Sequence, residues 1–212
     1  AQVAVPELIA RLSRKASSKD PRNMEQRYLT FALFSHNKGL IGKDLEGIDR
    51  KALLKAVRAS LLNQDGRARG AVSSVYRNLS FDQLKPLLPA ILEAITVRAP
   101  SGIMFADGVR MAGLKLMAKH SIEEGVGACV HYVRHQKKHG SQKRVPQVLE
   151  ILSSYGAHAQ SGIPELLKTA ENFETAEQNF PKKLSKQKAA AVREAVAQIR
   201  ASTDRPKLIR IR

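Results

Sequence analysis

Apolar residues recur at helical spacing along almost the whole chain, and no stretch sustains the period of two that a half-buried strand would need. VPELIARL (5–12) puts Val5, Leu8, Ile9 and Leu12 on one face, with Pro6 suited to a first turn. NMEQRYLTFALFS (23–35) turns Met24, Tyr28, Phe31 and Leu33 inward. Asp49 is placed to cap DRKALLKAVRASLLN, whose stripe is Leu53, Leu54, Val57, Leu61 and Leu62. After a break at Asn63-Gln64-Asp65-Gly66, Ala68, Ala71, Val72, Val75 and Leu79 form the next face. Asp82 is placed to cap KPLLPAILEAI, and Ala99-Pro100-Ser101-Gly102 breaks it. Helical patterns continue in FADGVRMAGLKLMAKH (105–120), IEEGVGACVHYVRHQ, VPQVLEILSSYG, GIPELLKTAENF and SKQKAAAVREAVAQIRA. The Gly-rich HNKGLIGKDLEG (36–47) reads as a connector. Ala and Leu dominate the apolar positions, aromatic residues make up 5% and there is no Trp. That composition suits helix packed on helix better than a sheet core. An all-α fold is predicted.

The helices come in related pairs. NQDGRARGAVSSVYRNL (63–79) has a turn, arginines, small residues and then an apolar face, and 105–120 repeats the plan. Asp65 and Asp107 are 42 residues apart, Arg69 and Arg110 41. A helix–turn–helix unit of about 40–47 residues is the period of HEAT and armadillo arrays. Such hairpins stack because one alone cannot cover its apolar face. Residues 1–200 are therefore predicted to form a single right-handed α-solenoid of about four to five hairpins. Residues 201–212 form a basic C-terminal tail, STDRPKLIRIR. Its alternating apolar and basic residues could add a short strand, but fraying is the ordinary fate of a terminus.

The turn and second helix, Asp65, Arg69, Ala71 and Val72, then Asp107, Val109, Arg110 and Ala112, resemble HEAT repeats. Ile163-Pro164-Glu165-Leu166-Leu167 and Val5-Pro6-Glu7-Leu8-Ile9 resemble the first helix of that unit. The resemblance spans most of residues 4–200. It implies a structural role for Asp65, Arg69, Asp107 and Arg110, bridging neighbouring turns and holding the stack in register. Two departures stand out. The unit near Arg144-Val145-Pro146 has no Asp in its turn, and the Asp-to-Arg spacing differs by one between the two good copies. The text also looks like the helical part of a group of long bacterial HEAT-repeat proteins with no known activity. That likeness implies a C-terminal portion of a larger, exported protein. A start at Ala1 fits a processed chain or an excised piece.

No catalytic constellation emerges. His131, His135 and His139 recur every four residues on one helix, a spacing that can share a metal. They lie opposite the stripe of Val126, Cys129, Val130 and Val133, and no carboxylate intervenes between Glu124 and Glu150. A solvated face is the expectation, with no metal. Cys129, the single cysteine, is expected as a buried structural thiol. The pair Glu123-Glu124 reads as first-turn acids favoured by the helix dipole. Neither GxxxxGK[ST] nor GxGxxG occurs, and no cofactor is expected. No apolar run is long enough to span a membrane.

The charge is the remaining signal. Thirty-six Lys and Arg against 19 Asp and Glu give a formal +17. Such a surplus bears on solubility and partners, with polyanions the first suspects. It gathers at Arg134, Lys137, Lys138, Lys143 and Arg144, at Lys182, Lys183, Lys186 and Lys188, and around Arg67, Arg69 and Arg77. The leading expectation is a non-catalytic scaffold that binds a protein partner. The alternative is sequence-independent binding of a nucleic-acid backbone through the basic loops. An enzyme, in its most definite form a HEAT-like DNA glycosylase, comes last, because aromatic residues and a suitably placed acid are missing. The sequence leaves compartment and oligomeric state open.

Overall fold

A computed structural model of the protein describes residues 2–14, 19–20, 22–35, 39–41, 47–77, 79–102, 106–136, 140–176 and 180–211. The described residues are helical, and extended backbone pairs only in isolated bridges. Most of the 36–47 connector lies outside them. No helix among them is long and apolar enough to cross a membrane. The chain divides into two compact units, 1–113 and 114–212.

The first unit holds α1 (Val5–Leu12), α2 (Met24–Phe34), α3 (Arg50–Leu61), α4 (Gly66–Val72), α5 (Phe81–Leu84) and α6 (Leu88–Thr96). The division falls within α7 (Asp107–Lys119). Helices pack on their neighbours and also one helix further on, α1 on α3 and α2 on α4. Leu12, Leu33, Leu53, Val57, Leu61, Val72 and Ile91 are fully buried between them. Each contributes about 1.5–3 kcal/mol by leaving water.

Asp49 caps α3 as expected, its Oδ1 accepting from the amides of Lys51 and Ala52 at 2.9 and 3.3 Å. Two expectations fail. Tyr28 is exposed, and the buried stripe of α2 is Gln26, Leu29, Thr30, Leu33 and Phe34. Polar residues disguise that stripe. The Thr30 hydroxyl satisfies itself on the Gln26 carbonyl and lies 3.2 Å from Ser60 Oγ, so it can occupy a core position. Asp82 does not cap either. Ser80 and Gln83 form a capping box at α5, while exposed Asp82 pairs with Lys85. The expected helix KPLLPAILEAI is preceded by α5 and divides into a 3₁₀ turn (Lys85–Leu87) and α6, with Pro86 and Pro89 in their first turns.

The second unit holds α8 (Glu124–Arg134), α9 (Ser141–Ser153), a 3₁₀ segment (Gly156–Gly162), α10 (Ile163–Thr175) and α11 (Lys182–Ala201). Its core includes Val133, Val145, Val148, Leu152, Leu166, Val192 and Ile199. The tail does not fray. Ile209 forms a parallel bridge to Ile122. Its N–H donates to the Ser121 carbonyl, and its carbonyl accepts from Glu123, each at 2.9 Å. Upstream, the Ala157 amide donates to the Asp204 carbonyl at 2.7 Å. Gly156 permits that approach. Its φ is +60°, and a Cβ there would sit 2.3 Å from the same carbonyl.

Candidate functional site

In the first unit, the arginine singled out by the repeat is buried, at 4% exposure. Arg69 Nε donates to the Asn63 carbonyl at 2.6 Å and Nη1 to the Val97 carbonyl at 2.9 Å. It thus ties together two chain breaks far apart in sequence. Asp65 caps α4 through the Arg67 amide, and its backbone lies in a bridge to Ser101. Burial pushes the Arg69 pKa down from its ordinary value, Arg110 adds to this and Glu93 opposes it. Asp107 and Arg110 behave differently. Asp107 lies inside the first turn of α7, 3.7 Å from Arg110 one turn on. The one-residue difference in spacing separates a cap with a bridging arginine from a pair within one helix. Arg67 is half-buried at the start of α4.

The second unit gathers exposed lysines where two of its helices begin. Lys188 of α11 donates to Ser141 Oγ at the start of α9, at 3.1 Å. At the other end Gln160 reaches the carbonyls of Ile199 and Ser202. These contacts make α9 and α11 parallel, with both N-termini at one end. Exposed Lys143, Lys182, Lys183 and Lys186 lie there. Arg144 also starts α9, but its Nε donates to Gln136 Oε1 at 2.9 Å and fastens the preceding turn. Lys137 and Lys138 lie outside the described residues. Arg134 is answered by Glu165, 3.1 Å away, a carboxylate that α10 brings from a distant part of the sequence.

Lys188 does not belong to the surface cluster. It is 1% exposed, its ammonium 4.2 Å from the Phe173 ring centroid and 4.6 Å from that of Phe180. The stripe of Ser185, Lys188, Ala189, Val192, Ala195, Val196 and Ile199 puts it inside, and that periodicity was available to find it. Two aromatic faces and a hydroxyl accommodate the charge.

The opposite end is a groove of about 730 Å³. Glu123 and Glu124 at the start of α8, Glu165 at the start of α10, His158, Leu208 and Arg210 surround it, over Val126, Gly127, Val130 and Gly162. Arg210 pairs with Glu123. The Ile211 amide donates to Glu124 Oε1 at 3.1 Å. His158 Nε2 donates to the Pro206 carbonyl at 3.0 Å. So the tail closes one side of the groove. Sequence reasoning missed this site because it read the tail as frayed. The usable signal was the alternation in PKLIRIR, with a basic residue to answer Glu123-Glu124.

The histidine row forms a contact without a ligand set. The rings of His131 and His135 stand 4.1 Å apart, and His135 Nδ1 donates to the His131 carbonyl. His139 lies outside the described residues. Among the described residues no three His, Cys, Asp or Glu side chains group as metal ligands do. Cys129 is buried, and desolvation pushes its pKa up to about 12, which keeps the thiol protonated.

No protein family, curated protein or solved structure matches this chain.

Proposed function

We propose that this chain is a non-catalytic helical scaffold whose second unit holds a polyanion, best matched by a nucleic-acid phosphate backbone, at its basic end. The observation that carries the reading is a cluster of exposed lysines. Lys143, Lys182, Lys183 and Lys186 share the end where α9 and α11 begin, and Glu174, close to Lys186, is already held by Arg193. Exposed lysines contribute point charges that follow phosphates without reading bases. Their spread over two helix starts suits an extended strand rather than a single anion.

The HEAT-like solenoid belongs to the same reading. Packing of α1 on α3, α2 on α4, α8 on α10 and α9 on α11, and the bridging by Arg69, support it. The test is fluorescence anisotropy with a labelled duplex and a labelled single strand at about 50 and 200 mM salt. Micromolar binding that falls steeply with salt, equally on unrelated sequences, is expected. Absence of binding at the lower salt would overturn it.

A protein partner is the second reading, and the groove favours it. A scaffold with an apolar floor between charged walls offers a side chain somewhere to enter.

A further inference from the structure

We propose that the groove between α8, the start of α10 and the C-terminal segment docks an extended cationic peptide, which adds as a strand along Leu208–Arg210 and sets a basic side chain against Glu165. The inference rests on the protein-partner reading and is independent of the basic end.

The backbone supplies the first reason. Ile209 spends both its N–H and its C=O on the Ser121–Glu123 turn. In extended chain the flanking residues turn theirs the opposite way. Among the described residues the backbone groups of Leu208 and Arg210 have no partner. An open edge of this kind is what an added strand pairs with.

Charge supplies the second. Three carboxylates line this groove in a protein of formal charge +17; Arg210 pairs with Glu123 and Arg134 with Glu165 Oε1, so an incoming cation meets Glu165 at Oε2. An acidic strand would set like charges beside Glu123, Glu124 and Glu165, whereas a basic one would be drawn in. The chain itself displays the type of segment accepted. Lys207, Leu208, Ile209, Arg210 and Ile211 alternate apolar and basic residues, and Arg210 already answers Glu123.

The floor supplies the third. Gly127 is exposed on α8, and a Cβ built there meets nothing within 4 Å, so the groove has room for an incoming side chain.

The probe is a fluorescein-labelled hexapeptide, Lys-Leu-Ile-Arg-Ile-Arg, titrated into the intact chain. Micromolar binding is expected. N-methylation of alternate peptide amides is expected to weaken it at least about tenfold. Gly127→Leu fills the groove from an open helical position, so a similar loss is expected with a melting temperature level or slightly raised and unchanged duplex binding. Glu165→Gln should weaken peptide binding while sparing duplex binding. Four results would overturn the proposal: no binding at 100 μM peptide, equal binding by the N-methylated peptide, equal binding by Gly127→Leu, or displacement by spermine at concentrations matching the peptide. The last would make the groove a site for small polycations. Loss of duplex binding in wild type alone would count against the basic end and leave the groove standing.

Discussion

Helix starts in the second unit come in two kinds. α8 and α10 carry acids in the first turn, Glu124 and Glu165. α9 and α11 carry none, and instead begin with Lys143 and Arg144 and with Lys182 and Lys183. Neither α9 nor α11 has a side-chain cap. An acid near a helix N-terminus is worth about 0.3–1 kcal/mol, and a cation there works against the dipole. Stability alone would therefore not place lysines at α11. The contrast teaches that the groove end carries the charges favoured by folding, while the basic end carries charges that folding merely tolerates. Lys188, two residues beyond Lys186, sharpens the point. The same residue type in the same helix is buried there and serves packing.

The largest effect is expected from reversing the exposed lysines. Lys182→Glu, Lys183→Glu and Lys186→Glu together should weaken duplex binding on the order of a hundredfold at low salt. Their melting temperature should stay level or rise slightly, since acids then face the dipole. A fall of several degrees would break the comparison. Lys188→Ala should do the reverse, costing about 2–4 kcal/mol through an emptied site and the lost hydrogen bond to Ser141, with duplex affinity of the folded protein unchanged. Lys188→Met should recover part of that by refilling the space. Both are read by thermal unfolding followed by anisotropy. In the first unit Arg69→Ala should cost about 1–3 kcal/mol by orphaning the buried Asn63 carbonyl and the partly buried carbonyl of Val97. Arg110→Ala, whose partner is one turn away on the same helix, should cost less. The smallest effect belongs to Glu165→Lys, which inverts one start of the acidic kind and leaves Arg134 unanswered. About 0.5–1 kcal/mol of destabilisation is expected in urea. An increase in stability would mean that the dipole does not order these starts.

Helices and their breaks were legible because period and caps are local. Asp49, Asp65 and the Val126–Val133 stripe need only their own neighbours to be read. The α2 stripe was hidden because Thr30 and Gln26 are polar residues whose hydrogen bonds make them admissible inside. Arg134 read as a free charge because its partner, Glu165, arrives only through tertiary packing. The groove was illegible for the same reason, since it needs the tail, α8 and α10 together. Lys188 was legible in principle, but the lysine run around it read as surface.

Hydrogen exchange with and without a short duplex, followed by peptide mass analysis, tests the central claim most directly. Added protection is expected in 140–146 and 181–188, where the first amides of α9 and α11 meet phosphate, with none in 121–130 or 158–166. Protection confined to the groove, or to the first unit, would contradict it.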